Sequence, residues 1–238
     1  MSLLKLADAE IYYEIHGGGF PVLVIAPGGM RSEISFWEKA PWNPLEVLAD
    51  KFQVIAMDQR NAGNSKGLVR GDHSWNTYTQ DQLALLDHLQ IDQCHYLGMC
   101  IGGTYGYGLM LAQPQRIRSA VFLQPMGLDN NREAFHEMFD SWVADIRDDH
   151  PEVDDEAWRV FRDNLYGGDF IFSATRDQIT SCQTNTLVLQ GDDLYHPQSI
   201  SRDIALNAPN VELIAQWKTG EARDAGRLRV VNFLLENT

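Results

Sequence analysis

The 238-residue sequence has few cysteines and far fewer positive than negative charges. Its three cysteines, an odd number without metal-type spacing to histidine, predict neither a disulfide framework nor a zinc site. We therefore expect reduced thiols, no metal and no cofactor. The 19 Lys and Arg residues against 33 Asp and Glu residues give a net charge of −14. Nucleic acid and anionic membrane surfaces are accordingly excluded as partners.

Long apolar segments are also missing from the sequence. The apolar patch near the N-terminus is too short for a signal peptide, and no run reaches transmembrane length, so we expect a cytoplasmic protein. With 44% hydrophobic residues and no shift in composition, the chain is predicted to form a single domain over residues 1–238. The sequence leaves the oligomeric state open.

Short apolar runs alternate with segments of helical spacing along most of the chain. After a hairpin within residues 3–16, the predicted strands are 21–26, 53–57, 94–99, 119–124, 186–190 and 211–217. The predicted helices are about 81–89, 102–113, 198–206 and 222–235. This alternation predicts an α/β fold with a mostly parallel twisted sheet and helices on both faces.

Residues 127–183 interrupt the alternation. They are rich in acidic and aromatic residues, and Phe135, Phe139 and Trp142 follow helical spacing. We interpret this stretch as a helical cap inserted over the sheet. Its aromatic side chains either pack on the sheet or, in part, face a cleft and bind an apolar substrate.

One reactive side chain stands at the centre of residues 96–104, YLGMCIGGT. Cys100 has glycines two residues before and two residues after it, the pattern of a nucleophile elbow on a sharp strand-to-helix turn. A thiol at a helix N-terminus ionises more easily, which favours the nucleophilic thiolate. The alternative from the motif alone is a buried, inert cysteine between packing glycines.

Four segments, in the right order, resemble the α/β-hydrolase superfamily over nearly the whole chain. They are residues 27–30 (PGGM), residues 58–65 (DQRNAGNS), the elbow, and residues 189–197 (LQGDDLYHP). The resemblance implies an oxyanion hole made by the backbone N–H groups of Ile101 and of Gly29 or Met30. It also implies that Asp193 is the catalytic acid. Cysteine replaces the commoner serine nucleophile, as in dienelactone hydrolases.

The sequence departs from this family at the catalytic base. The family's histidine follows the last strand, where this chain reads QWKTGEARD at residues 216–224, and no histidine occurs after His196. His196 is the leading substitute because it shares a loop with Asp193. The alternative is a loop histidine that only orders the turn. His136 and His150 are weaker candidates for the base.

These observations predict a Cys-dependent hydrolase of a small ester, thioester or lactone, acting through an acyl-enzyme on Cys100. The expected partner is a small molecule with an apolar or aromatic acyl group. Two alternatives stay open at this point. One is a ligand-binding or scaffold protein that has kept the fold without turnover, and the other is a cofactor-free lyase that uses only the oxyanion hole.

Overall fold

The computed structural model describes residues 2–238, and these residues form one mixed β-sheet flanked by helices. The strands are β1 (Ser2–Lys5), β2 (Ala9–Gly17), β3 (Phe20–Ile25), β4 (Phe52–Met57), β5 (Lys66–Gly67), β6 (Cys94–Met99), β7 (Ile117–Leu123), β8 (Asn185–Leu189) and β9 (Val211–Ile214). Their order across the sheet is β1-β2-β4-β3-β6-β7-β8-β9, and the short β5 pairs with β2.

Eight α-helices connect or follow these strands within the described residues. They are α1 (Pro44–Leu48), α2 (Trp75–His88), α3 (Ile101–Ala112), α4 (Arg132–Ile146), α5 (Asp155–Tyr166), α6 (Arg176–Ser181), α7 (Gln198–Asn207) and α8 (Gly220–Glu236). Short 3-10 helices add further turns, including Gly29–Arg31 after β3 and Ile34–Lys39 before α1.

Strands β3, β4, β6, β7, β8 and β9 form the centre and one side of the sheet and pair with one another in parallel. Strand β2 pairs antiparallel with β1, β4 and β5. Every residue of β6 is buried, as expected for a parallel strand covered by helices on both faces. Because β6 lies between β3 and β7, its carboxyl end meets the loops that follow those two strands. The elbow cysteine therefore stands in the middle of that edge.

The α/β fold predicted from the alternation is confirmed, with differences at the ends of elements. Helix α2 begins at Trp75, six residues before the predicted start, after a capping box formed by Ser74 and Thr77. Strand β9 ends at Ile214 rather than at Trp217. The prediction was wrong there because Trp217 turns into the core and its indole Nε1 donates to the carbonyl oxygen of Gln190 at 2.9 Å.

Helices α4, α5 and α6 occupy the segment between β7 and β8, and we call them the insertion. Helix α4 packs on the 3-10 helix Gly29–Arg31, where Arg31 Nε donates to Asp145 at 2.6 Å and Arg31 Nη2 donates to the carbonyl oxygen of Ser141 at 2.8 Å. The insertion is thus fastened to the loop that follows β3. Its role as a cap over substrate stays a prediction.

Among the described residues, no helix is long and apolar enough to cross a membrane. Within residues 2–238, no three His, Cys, Asp or Glu side chains are grouped so that they could hold a metal ion. The three cysteines are unpaired, and Cys94 and Cys182 are buried.

Candidate active site

The candidate site is built around Cys100, the single residue between the end of β6 and the start of α3. Its backbone has φ 61° and ψ −116°, a left-handed conformation that is strained for a residue with a side chain. A Cβ atom added at Gly98 would lie 2.6 Å from the carbonyl oxygen of Gly102, so the turn requires glycine there. This geometry is the sharp strand-to-helix turn that the sequence motif predicts.

Asp193 and His196 form a hydrogen-bonded pair on the loop between β8 and α7. The Nδ1 atom of His196 lies 2.7 Å from Asp193 Oδ1 and 2.8 Å from Oδ2. Asp193 Oδ1 also accepts the backbone N–H groups of Tyr195 and His196, at 3.0 Å and 3.1 Å. The carboxylate therefore fixes both the turn and the direction of the imidazole ring.

The bond to Asp193 determines which nitrogen of His196 carries a proton. Hydrogen bonding to His196 lowers the pKa of Asp193 to about 2, so at neutral pH its carboxylate can only accept. Nδ1 must then be the donor, which leaves Nε2 to exchange protons. Nε2 is buried and makes no regular hydrogen bond in the described part of the chain.

Cys100 and His196 change each other's ionisation. Burial opposes the charged form of both groups, but their mutual attraction, together with Asp193 beside His196 and backbone N–H groups beside Cys100, outweighs it, so the pKa of Cys100 is lowered and that of His196 is raised. Nε2 itself forms no hydrogen bond with the sulfur or with any other described residue in this structure. Catalytic hydrogen bonds are often loose before substrate binds.

Backbone N–H groups converge on the same sulfur. Those of Gly28 and Ile101 also lower the pKa of Cys100. Gly29 has φ 61°, and a Cβ atom there would collide with Met138 Sδ of α4, so only glycine fits beneath the insertion at this point. Sequence reasoning missed Gly28 as a neighbour of the sulfur and Met138 as a neighbour of Gly29. The adjacent glycines Gly28 and Gly29 were the available signal in the sequence for these two contacts.

Cys100 keeps some accessible surface although protein atoms surround its sulfur closely. His196 is only 7% exposed, whereas the side chain of Asp193 is nearly half exposed. The acid therefore meets solvent while the sulfur and Nε2 sit deeper. This places the reacting groups of the pair in the environment of lower dielectric, where their attraction is stronger.

The other predicted site residues lie in the insertion. Phe135, Phe139 and Trp142 are each at most 1% exposed and pack against aromatic rings. Phe135 approaches the Asp193–His196 loop, because its ring centroid is 5.6 Å from that of Tyr195. Core packing explains all three side chains in this structure, and their role in substrate binding stays a prediction.

The two weaker candidate bases do not join the Asp193–His196 pair. His150 lies 3.5 Å from Glu152 and edge-on to Trp158. The Nε2 atom of His136 is buried without a hydrogen-bond partner among the described residues. Of the histidines considered as bases, His196 is the one that is hydrogen-bonded to Asp193.

An open groove of about 1120 Å³ does not include this site. It runs between the loops after β3 and β4 and the end of α4, and its lining includes Asn61, Trp142 and His150 but neither Cys100 nor His196. We locate the candidate site at Cys100, Asp193 and His196, because these side chains provide reactive groups, whereas the size of a groove does not indicate a reaction.

Gly191 is a further residue that the sequence did not single out. A Cβ atom there would lie 2.6 Å from His196 Cβ and would collide with the His196 carbonyl oxygen. The Gly191 N–H donates to Ser201 Oγ at 3.1 Å, which ties the loop to α7. The available signal was the glycine directly before the acidic pair.

Comparison with known proteins agrees with this architecture. The model of the alpha/beta hydrolase fold family matches residues 21–157, more than half of the chain. The enol-lactonase from Burkholderia xenovorans LB400 superposes with a TM-score of 0.72 at 21% identity, covering 98% of this chain and all of that one. At that identity the likeness shows the fold alone.

Several curated relatives carry the name "Putative carbamate hydrolase RutD", and two of them show the range of the matches. The protein from Azorhizobium caulinodans is 39% identical over 112 residues, which are 47% of this chain and 40% of that relative. The protein from Caulobacter sp. strain K31 is 25% identical over an alignment that covers 94% of this chain and 95% of that relative. The first match thus spans less than half of its relative. From its sheet, its elbow and the family model, the chain belongs to the alpha/beta hydrolase fold family.

Proposed function

We propose that this protein hydrolyses small carboxylic esters, thioesters or lactones through an acyl-enzyme on Cys100. The observation that carries the proposal is the bond from His196 Nδ1 to both oxygens of Asp193, which leaves Nε2 for the sulfur. Membership of a hydrolase fold family and relatives named as hydrolases support it. A nucleophile, a base and a group that orients the base are the three parts that such chemistry needs.

In the acylation step, the Cys100 thiolate attacks the carbonyl carbon of the substrate. The carbonyl oxygen becomes an oxyanion that accepts N–H groups from Ile101 and from Gly29 or Met30. As the intermediate collapses, the bond to the leaving group breaks and His196 Nε2 gives its proton to that group. The raised pKa of His196 and the lowered pKa of Cys100 support this role, because both shifts favour the imidazolium and thiolate forms that the step uses.

In the deacylation step, neutral His196 takes a proton from water at Nε2 as the water oxygen attacks the acyl carbon. The bond to sulfur breaks, the carboxylic acid leaves, and the thiolate and imidazolium are restored. Asp193 holds the Nδ1 proton throughout and stabilises the imidazolium. General base catalysis of this kind contributes about 10²–10⁴-fold.

The substrate's acyl group is proposed to be apolar or aromatic, with Phe135, Phe139 and Trp142 as candidate contacts. The carbamate named for the curated relatives is a second substrate class. A carbamate presents the same kind of carbonyl carbon to the thiolate, so the same groups would serve. Matched esters and carbamates assayed side by side distinguish the two classes.

Intact-mass spectrometry with p-nitrophenyl acetate tests the proposal. We expect a burst of nitrophenolate and a mass increase of one acetyl group, both lost in Cys100→Ala. Cys94→Ala is the matched control, because burial raises the pKa of that thiol to about 12 and keeps it inert. Wild-type protein that binds esters without an adduct or turnover would instead indicate a ligand-binding or scaffold protein. Turnover that survives in Cys100→Ala would indicate lyase-type chemistry.

A further inference from the structure

Of the methionines at residues 2–238, Met138 alone is not buried. It lies on α4, packs against the core from its edge and keeps part of its surface accessible. The buried methionines are Met30, Met57, Met99, Met110 and Met126. Because oxidation converts an apolar thioether into a polar sulfoxide once an oxidant reaches the sulfur, Met138 is the methionine most open to this change.

The sulfur of Met138 lies against the backbone of Gly29. A Cβ atom built at Gly29 would lie 3.3 Å from both Cγ and Cε of Met138 and would collide with Sδ. Gly29 has φ 61° and begins the 3-10 helix Gly29–Arg31, whose first N–H groups are the proposed oxyanion donors. The thioether therefore fills the space on one side of the turn that the proposed acylation step uses.

Helix α4 is fastened to the same turn by a second contact. Arg31 Nε donates to Asp145 Oδ2 at 2.6 Å, and its Nη2 donates to the carbonyl oxygen of Ser141 at 2.8 Å. Ser141 and Asp145 follow Met138 by three and seven residues, so the three side chains share one face of α4. Because these contacts hold the helix in place, the turn must take up part of any increase in size at Met138.

The turn adjoins the elbow through the sheet. Strand β3, which precedes the turn, pairs with β6 as far as Ile25, which lies opposite Gly98, two residues before Cys100. At the far end of the turn, Ser32 Oγ donates to the carbonyl oxygen of Ala26 at 2.6 Å. The turn is thus folded back onto the end of β3, next to the strand that carries the nucleophile.

We propose that Met138 is a site of oxidation by peroxides, and that its sulfoxide slows the acylation of Cys100 by displacing the Gly29–Arg31 turn. This inference rests on the proposed function. The thioether sulfur gives an electron pair to one peroxide oxygen, the O–O bond breaks, and hydrogen peroxide leaves as water. The sulfur is oxidised by two electrons and the peroxide is reduced by two. The added oxygen brings bulk and polarity to the contact with Gly29, which the thioether already fills.

The test keeps Cys100 out of the oxidation, because a thiolate also reacts with peroxide. Methyl methanethiolsulfonate first blocks the thiol as a mixed disulfide, hydrogen peroxide is then added and removed, and dithiothreitol restores the thiol. Peptide mass spectrometry should find one added oxygen on Met138 before any on Met110 or Met126. The burst with p-nitrophenyl acetate should then be about tenfold slower, and methionine sulfoxide reductases for both epimers should restore it.

Met138→Leu is the matched control, because it keeps nearly the same volume without an oxidisable sulfur. We expect this variant to acylate at close to the wild-type rate, both before and after peroxide. The thiol of Cys94 reports on the fold, because it is buried and should stay unlabelled by iodoacetamide in the oxidised protein.

Wild-type protein that carries the sulfoxide on Met138 and still acylates at the untreated rate would overturn the inference. So would earlier oxidation of the buried methionines, labelling of Cys94 after oxidation, or an equal loss of rate in Met138→Leu. The first three results come from the wild-type protein, so misfolding of the variant cannot hide the answer. Failure of the proposed function has a different signature, because p-nitrophenyl acetate would then fail to acylate Cys100 before any peroxide is added.

Discussion

The loop after β8 and the segment after β9 both differ from the pattern of the family that the sequence resembles. In the resemblance to α/β-hydrolases, the loop after β8 supplies the acid and the segment after β9 supplies the histidine. Here the β8–α7 loop carries both Asp193 and His196, three residues apart and hydrogen-bonded. One short loop therefore provides an acid–base pair that two loops normally share.

The segment after β9 braces that loop instead. Trp217 is 1% exposed and donates to the carbonyl oxygen of Gln190, the residue after β8. The next residue, Lys218, forms an ion pair with Asp192. The comparison teaches that one Asx-type turn can hold both members of the proposed acid–base pair, because Asp193 forms the turn and also orients the ring of His196.

We expect the largest effect on turnover from a substitution in the β8–α7 loop, which carries Asp193 and His196. His196→Gln is expected to lower steady-state ester turnover by about 10²–10⁴-fold, because deacylation loses its base. The acetyl adduct on Cys100 should then accumulate, which intact-mass spectrometry measures against time. Turnover at the wild-type rate in this variant would refute the assignment of His196.

Asp193→Asn should have the next largest effect, with a loss of roughly 10–10³-fold in kcat, because an amide no longer selects the correct tautomer. The substitution should also narrow the pH range over which Cys100 is acylated rapidly. In the wild type, acylation rises as pH passes the lowered pKa of Cys100 and falls as pH passes the raised pKa of His196. Without the carboxylate, we expect the pKa of His196 to fall and that of Cys100 to rise. The falling limb then shifts to lower pH and the rising limb to higher pH, so the two limbs approach each other.

The rising limb can be followed by the rate of Cys100 alkylation with iodoacetamide, and the falling limb by kcat/KM for an alkyl ester, across the pH range. Limbs that stay at their wild-type positions in Asp193→Asn would show that the carboxylate does not set the ionisation of the Cys100–His196 pair.

Gly191→Ala should have a smaller effect on turnover, because it displaces Asp193 and His196 without removing either side chain. The added methyl group would collide with His196, so the loop must shift, at a cost of about 1–3 kcal/mol in the free energy of unfolding. Thermal unfolding measures the loss of stability, and the acetyl-adduct assay measures the change in the acylation of Cys100. Gly18→Ala is the matched control, since no atom lies within 4 Å of a Cβ there.

Lys218→Ala should have the smallest effect, as it changes only the bracing segment. Its ion pair with Asp192 is partly exposed, and pairs at the surface contribute about 0–1 kcal/mol to stability. We expect turnover within about twofold of the wild type. A loss comparable to that of His196→Gln would mean that the segment after β9 still takes part in catalysis.

The sequence predicted much of the fold but less of the site. Buried strands were recognised from their unbroken apolar runs, and the elbow from two glycines around Cys100. The end of β9 was missed because Trp217 reads as a strand residue until its indole is seen to turn inward.

By itself, the sequence determined the order of strands and helices, the position of Cys100 at a strand-to-helix turn, and the lack of a histidine after His196. Periodicity and glycine placement fix these features because they act locally along the chain. Only the tertiary structure decided that His196 Nδ1 meets Asp193, that the ionisation of His196 depends on Cys100, and which aromatic rings surround them. Those relations depend on side-chain directions across separate elements, which sequence spacing does not specify.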